Sequence, residues 1–468
     1  MKNNMAFYHT VVLGLSLTTF ASAQTTQPNI VLINIDDLGW TDLSCNGSSF
    51  YETPNIDKLR EAGVWFPQAY AGASNSAPSR ACMLTGQNTP RHGVFTVGSS
   101  DRGKASDRKL LTVPNRTSLP EGYQLLPRVL HEAGYQTFHV GKWHVTGNPL
   151  TSGVDVNIGG NHAGHPRRYF SPYQNPNLPD GEKGEFLCDR LGTEAASLIK
   201  KAESGKPFFL YFAPYAVHTP LQAKAELIAK YKKKQKSEAH DNPVYAALIQ
   251  SMDENVGRVL DALRESGRWE NTLIIFTTDN GGVYDISHQW PLRAGKGSFY
   301  EGGVRVPFIV YQQGKYEKGE VKDLMVSQLD IFPTLMDIAG INKKNLTLDG
   351  ESLVKVLQKG KDKKLSRRSL FWHFPAYLEG GNAETTDRIF RTRPVSVIRK
   401  GNWKLIQNYE TDKYELYNLA DDISEKHDQS ASNPKKVAEL ANVLDEWKKE
   451  QGAPLPPGLN PRYKETKK

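Results

Sequence analysis

Acidic, basic and amide side chains in this chain recur at one kind of place, directly after a run of apolar residues. Asn29-Ile30-Val31-Leu32-Ile33-Asn34-Ile35 runs into Asp36-Asp37, and Thr272-Leu273-Ile274-Ile275-Phe276-Thr277-Thr278 ends on Asp279-Asn280. Tyr135-Gln136-Thr137-Phe138-His139-Val140 empties into Gly141-Lys142-Trp143-His144, and Phe208-Phe209-Leu210-Tyr211-Phe212-Ala213 leads to His218. Asp36, Asp37, Asp279 and Asn280 form an all-oxygen donor set, which selects a hard divalent cation, calcium or magnesium, over zinc. Three carboxylates facing one another repel strongly without a cation between them. Histidines titrate near working pH and lysines clamp oxyanions, so Lys142, His144 and His218 suit proton transfer beside an anionic group.

A fifth group comes from Ser74-Asn75-Ser76-Ala77-Pro78-Ser79-Arg80-Ala81-Cys82-Met83-Leu84-Thr85-Gly86. Small polar residues lead in, Pro78 falls where an early helical position tolerates a missing N–H, and Gly86 ends the run. Such a helix turns unpaired N–H groups and the positive end of its dipole toward Ser76. Arg80 lies one turn along the same face with a fixed positive charge. A serine so placed suits an anionic substrate, although a Ser-Pro cap with a surface arginine accounts equally well for this stretch alone.

The elements that must position these groups alternate. The apolar runs read as strands buried on both faces, and helices are expected at 53–63, 126–133 and 191–202 and from Asn242, with Pro243 at the first position, to a stop at Gly267. That order predicts a parallel sheet with helices on both faces, and ligands bind such sheets at the carboxyl ends of their strands. Polar stretches at 91–121 and 147–183 read as long loops. Past a lysine-rich stretch at 353–364, alternation around Gly401-Asn402 predicts a small antiparallel sheet, closed by a helix at 434–449.

Ser76-Ala77-Pro78-Ser79-Arg80, continued by Leu84-Thr85-Gly86, resembles the (Cys/Ser)-x-Pro-Ser-Arg signature of the type I, formylglycine-dependent sulfatases. Asp36-Asp37, Asp279-Asn280-Gly281, Gly302-Gly303-Val304-Arg305-Val306-Pro307 and Asn402-Trp403-Lys404-Leu405 extend the resemblance from about Pro28 to the C-terminus. It implies an alkaline-phosphatase-like α/β fold with a smaller C-terminal sheet-and-helix unit, and divides the chain into 24–365 and 366–468. It implies a Ca2+ site (with Mg2+ as the alternative) on Asp36, Asp37, Asp279 and Asn280, and Ser76 converted by a maturase to formylglycine. Most members carry Cys at that position; Ser implies a maturase that accepts serine, a cysteine replaced to inactivate the enzyme, or a naturally dead enzyme. The resemblance further implies that Arg80 and Lys142 hold the formylglycine oxygens and that Lys296 binds sulfate. His218 would then be the general acid and His144 the base that regenerates the aldehyde. The expected substrate is a sulfated glycan, best matched by exo-cleaved 4-O-sulfated galactose or N-acetylgalactosamine, with His162, Arg168, His288, Arg293 and His373 as candidate sugar contacts. A phosphodiesterase or phosphonate monoester hydrolase of the same superfamily stays open, as does a catalytically silent glycan-binding protein with unconverted serine.

Composition sets the outer bounds. Charged residues at 24% and hydrophobic ones at 38% are ordinary for a globular protein. The net charge of +8 is mixed with acidic residues, apart from the run 230–236, which reads as a solvated helix end. A mildly basic surface helps collect a polyanion, and no nucleic-acid module is evident. Three cysteines, Cys45, Cys82 and Cys188, are too few for a disulfide framework; a Cys45–Cys82 bridge is conceivable, buried free thiols are favoured. Lys2, the apolar run 11–17 and Ala21-Ser22-Ala23 read as a signal peptide cleaved after Ala23. No cysteine follows the site to carry a lipid anchor, and no later segment is apolar for long enough to cross a bilayer. The expected location is periplasmic or secreted.

Overall fold

The computed structural model describes residues 27–358, 365 and 369–465. The expected signal peptide lies outside the described residues, as does residue 366, where the second unit is expected to begin. At the centre stands an eight-stranded sheet built of β1 (Asn29–Ile35), β2 (Val64–Trp65), β3 (Gln136–Gly141), β4 (Val156–Ile158), β5 (Phe208–Ala213), β6 (Thr272–Thr278), β7 (Phe308–Tyr311) and β8 (Glu320–Val321). Their order is β4-β3-β5-β1-β6-β7-β2-β8, and only β7 runs against the rest. Ile33 pairs with both Phe212 and Phe276, and Val140 pairs with Phe212. This register brings the carboxyl ends of β3, β5, β1 and β6 level.

Period-two alternation divides the apolar residues between two cores. Val31, Ile33, Leu210, Phe212, Ile274 and Phe276 face helices α1 (Pro54–Ala62), α4 (Leu187–Lys201) and α5 (Pro243–Glu265). Ile30, Leu32, Phe209, Tyr211, Leu273 and Ile275 face α2 (Ser76–Thr85), α3 (Leu126–Glu132) and α6 (Ile331–Ala339) on the other side. The side chain of Asn242 accepts from the backbone N–H of Val244 and Tyr245, capping α5 as its sequence position predicts. The excursion at 147–183 is not wholly irregular, because β4 docks on the free edge of β3. Its three half-buried residues carry no alternation, so only the partner strand reveals it. In the lysine-rich run, Lys230 and Lys234 pair with Glu52. All three cysteines are free thiols.

The C-terminal part forms an antiparallel sheet, β9 (Ser369–Phe374), β10 (Val395–Lys400), β11 (Trp403–Asn408) and β12 (Lys413–Asn418), in chain order. Gly401, at φ 57°, makes the β10–β11 turn. One face takes α7 (Pro434–Gln451) through Ile398, Leu405, Leu416, Leu440 and Leu444. The other takes Tyr70, Ala294, Phe299 and Tyr300 of the larger unit. Across that seam Lys404, fully buried, lies 3.1 Å from Glu301 and 2.8 Å from Glu425. Removing one member of a buried ion cluster strands the others without compensation. Lys404→Ala should therefore lower stability by about 3–5 kcal/mol in chemical denaturation; a loss of under about 1 kcal/mol, the worth of an exposed pair, would show that the cluster does not hold the two sheets together.

Candidate active site

Backbone hydrogen bonds knit the strand ends together before any side chain is considered. Asp36 N–H donates to Ala216 O (3.1 Å), Val217 N–H to Asp36 O (2.8 Å), Asp279 N–H to Ile35 O (3.0 Å) and Lys142 N–H to Ala213 O (2.6 Å). Gly141 has φ 106°, and a Cβ there would lie 2.1 Å from Ala213 O, so only glycine lets β3 deliver Lys142 at this level. Asp37 and His144 hold left-handed φ values of 61° and 59° without being glycine, local strain of the kind that concentrates at functional sites.

Helix α2 begins at Ser76 and stops at Gly86, in the left-handed region, as its sequence predicts. Ser76 Oγ lies 3.2 Å from Asp36 Oδ1 and 3.3 Å from Asn280 Oδ1. One turn on, Arg80 Nε donates to Asp279 Oδ2 at 2.9 Å, and Nη1 donates to Lys142 O at 3.0 Å. Lys142 Nζ reaches both oxygens of Asp36 at 2.7 and 2.8 Å. Lys296 Nζ reaches Asp37 Oδ2 at 2.6 Å, and His218 Nε2 stands 3.5 Å from the same oxygen. Asn280 Nδ2 donates to Asp37 Oδ1 at 2.9 Å. The strand-end groups and the α2 start named from sequence thus converge on one place.

Charge explains the arrangement. Asp36, Asp37 and Asp279 each offer an oxygen within 4.8 Å of the others, and all three are buried. Burial pushes the Asp36 carboxyl up, and Asp279 and Asp37 add to the rise against the pull of Lys142. For Asp37 burial is outweighed by Lys296 and His218, and for Asp279 by Arg80 and Lys142, so both stay below the usual carboxylate range. Burial brings His144 down to about 2 and His218 to about 3, with Lys142 among the cations that add to both shifts. Both imidazoles are neutral at pH 7. Arg80 Nη2 and His144 Nδ1 are buried with no hydrogen-bond partner. Three clustered carboxylates and an amide oxygen fit a hard divalent cation; Arg80 Nη2, which makes no hydrogen bond, stands 3.6 Å from Asp36 Oδ1.

Ser76, Lys142, His144, His218 and Lys296 line a cavity of about 400 Å³. Arg80 and the carboxylates lie behind that wall. Other parts of the lining were not foreseen: Arg102, His165, Leu378, Glu379 and Arg391 belong to it, His165 stacked 6.0 Å from His218. Leu378–Glu379 and Phe390–Thr392 form a two-stranded ribbon too short for any periodic signal. Of the five expected sugar contacts, none lines this cavity. His162 is exposed, its ring 5.8 Å from that of His144, and Arg168 lines a neighbouring cavity of about 190 Å³. His288 stacks on Tyr284 at 4.6 Å. Two more are engaged elsewhere in the fold. Arg293 lies 3.7 Å over the Tyr300 ring and donates to Glu384 O, Glu425 O and Tyr417 Oη, tying its loop to the C-terminal part. His373 is buried between Ser396 Oγ (2.7 Å) and Pro454 O (2.8 Å), a structural histidine that burial holds at about 4.

Comparisons with known proteins agree with this geometry. A family model described as Sulfatase matches residues 28–341, and one described as N-sulphoglucosamine sulphohydrolase, C-terminal, matches residues 293–451. A sulfatase of Formosa agariphila is 33% identical over 97% of this chain and 96% of its own length. The N-acetylgalactosamine-6-sulfatase of Homo sapiens is 30% identical over 75% of this chain and 69% of its own. A crystal structure described as Ps i-CgsB in complex with k-i-k-neocarrahexaose superposes with a TM-score of 0.74 at 30% identity, covering 92% of this chain and 95% of that one. The phosphonate monoester hydrolase of Agrobacterium radiobacter shares the fold, at a TM-score of 0.68 and 20% identity over 91% of this chain and 96% of that one.

A cation that binds only the folded carboxylate cluster must stabilise the fold by mass action. Adding Ca2+ or Mg2+ to metal-stripped protein should raise its Tm, and Asp279→Ala should abolish the rise. An unchanged Tm with either ion, or a rise that survives in Asp279→Ala, would remove the cluster as the metal site.

Proposed function

The chain belongs to the sulfatase family and is a sulfuric ester hydrolase acting on sulfate esters of glycans; from that premise we propose that it removes an O-sulfate from the end of a glycan through Ser76 converted to formylglycine. The observation that carries this reading is the position of Ser76 Oγ, 3.2 Å from Asp36, in a cavity lined by two lysines and three histidines. Galactose or N-acetylgalactosamine is the favoured sugar. The sequence texture favours sulfate at position 4, whereas the human relative is named for position 6.

Asp36, Asp37, Asp279 and Asn280 would hold a Ca2+ ion, which when bound polarises a sulfate oxygen, and the hydrated formylglycine supplies the attacking oxygen. The remaining work belongs to the side chains present. Arg80 and Lys142 hold the oxygens at residue 76, and Lys296 grips the sulfate. Thr219 O lies 2.8 Å from His218 Nδ1 and can only accept, so the neutral ring keeps its proton there. Nε2 is then the atom that gains a proton beside an anionic substrate and passes it to the departing sugar oxygen. His144, whose Nδ1 has no partner, takes a proton from residue 76 so that sulfate is released. The reading also entails an exported protein, cleaved after Ala23, and a maturase that oxidises serine.

Mass spectrometry of the peptide containing Ser76, from native-host protein, should find it two hydrogens lighter than serine. Aryl sulfate should be turned over faster than aryl phosphate or phosphonate; the reverse ranking favours the phosphonate hydrolase reading. His218→Ala should slow a sugar sulfate by about 10²–10⁴ and an activated aryl sulfate far less, because a good leaving group needs no proton. Equal losses on both would exclude His218 as the proton donor.

A further inference from the structure

The lining of the cavity holds a cation that the chemistry above does not use. Arg102 and Arg391 both line the cavity, and their circumstances differ. Arg102 donates twice to Glu379 Oε1, at 2.9 and 2.7 Å, so a carboxylate offsets its charge. Arg391 donates to the backbone oxygens of Gly380 (3.0 Å) and Lys296 (3.3 Å). Those two carbonyls orient the guanidinium without neutralising it, and among the described residues no carboxylate pairs with it. Its neighbour across the ribbon, Glu379, has its second oxygen, Oε2, buried with no partner. A guanidinium held by two carbonyls, with no carboxylate paired to it among the described residues, thus lines the cavity where an anion can reach it.

The spacing connects this guanidinium to the reacting end. The backbone of Lys296, whose amine is the expected sulfate grip, is itself one of the two carbonyl partners of Arg391. Gly297, next along, has φ 86°, and a Cβ on it would stand 2.6 Å from Leu378 and 3.1 Å from Arg391. Its N–H donates to Ser74 O at 2.7 Å, beside the start of α2. The ribbon is therefore pressed onto the loop that carries Lys296, and Arg391 is held at a set distance from Ser76. A cavity of about 400 Å³ lies in the range that takes one small ligand, here a single sugar with its substituents.

We propose that Arg391 is a specificity residue that reads a second anionic group, a sulfate or a carboxylate, on the glycan whose first sulfate is removed at Ser76. This rests on the sulfatase reading and narrows it to multiply charged saccharides. A guanidinium paired with such a group makes charge-assisted hydrogen bonds, strong enough to shift affinity by about tenfold to a hundredfold.

The test uses full-length mature enzyme and Ser76→Ala as a non-reacting trap. The ligands are N-acetylgalactosamine 4-sulfate, 6-sulfate and 4,6-disulfate and the unsaturated chondroitin 4-sulfate and 6-sulfate disaccharides, which add a uronate carboxylate. At least one ligand with two charges should bind the trap about tenfold more tightly than its singly charged parent, and Arg391→Gln in the trap should remove that advantage. Preference for the disulfate identifies sulfate as the second group; preference for a disaccharide identifies carboxylate. In the active enzyme Arg391→Gln should remove the kcat/KM advantage of that doubly charged ligand over its singly charged parent. Equal binding of singly and doubly charged ligands, or an advantage that survives Arg391→Gln, overturns the proposal while wild-type aryl sulfatase activity leaves the family reading intact. Absence of aryl sulfate turnover by formylglycine-bearing wild type would instead overturn the reading beneath it.

Discussion

Three buried carboxylates with oxygens within 4.8 Å of one another are the constraint to which everything else in this molecule answers. Left alone in a low-dielectric interior they would protonate or separate. They are held by Arg80, Lys142 and Lys296, three cations from three different segments, each within 3.6 Å of a carboxylate. In the proposed mechanism Lys296 also grips the sulfate, and Arg80 and Lys142 hold the oxygens at residue 76. On that reading the side chains that support the cluster electrostatically also serve the reaction. This is why the strand ends, the start of α2 and the loop at 295–297 have to meet within a few ångströms.

Much of this half of the site was readable in the chain. Buried parallel strands leave continuous apolar runs, and a polar pair ending such a run is conspicuous: Asp36-Asp37 and Asp279-Asn280 could hardly be placed elsewhere. Ser76 and Arg80 were placed by helix periodicity, with Pro78 and Gly86 as punctuation. The order of strands was implied only as far as the parallel rule reaches; the reversed β7 and the edge strand β4 depend on partners far along the chain.

The other half of the cavity carried no such signal. Arg102 meets Glu379 across 277 residues, and Arg391 meets Lys296 across 95. Neither pair sits in an element long enough to show a period. Residue type alone misled in the complementary way. Arg293 and His373 have the donors a sugar would want, yet both are already engaged by carbonyls and hydroxyls of their own fold. His162 and His165 are three residues apart, and only the second faces the cavity. A side chain's chemistry is written in the sequence, but whether its hydrogen-bonding capacity is already taken is decided by chain segments far along it, 132 residues away for Arg293 and Glu425.

The ribbon at 378–392 rests against Gly297 but contributes no group to the carboxylate cluster. On the proposed reading, bond-breaking and ligand choice reside in separate pieces of chain, joined by packing at a glycine. Lineages descended from this scaffold could exchange the ribbon's side chains, and with them the saccharide recognised, while the ionic balance at the sheet edge stays as it was. One catalytic floor could in this way serve many differently decorated polymers.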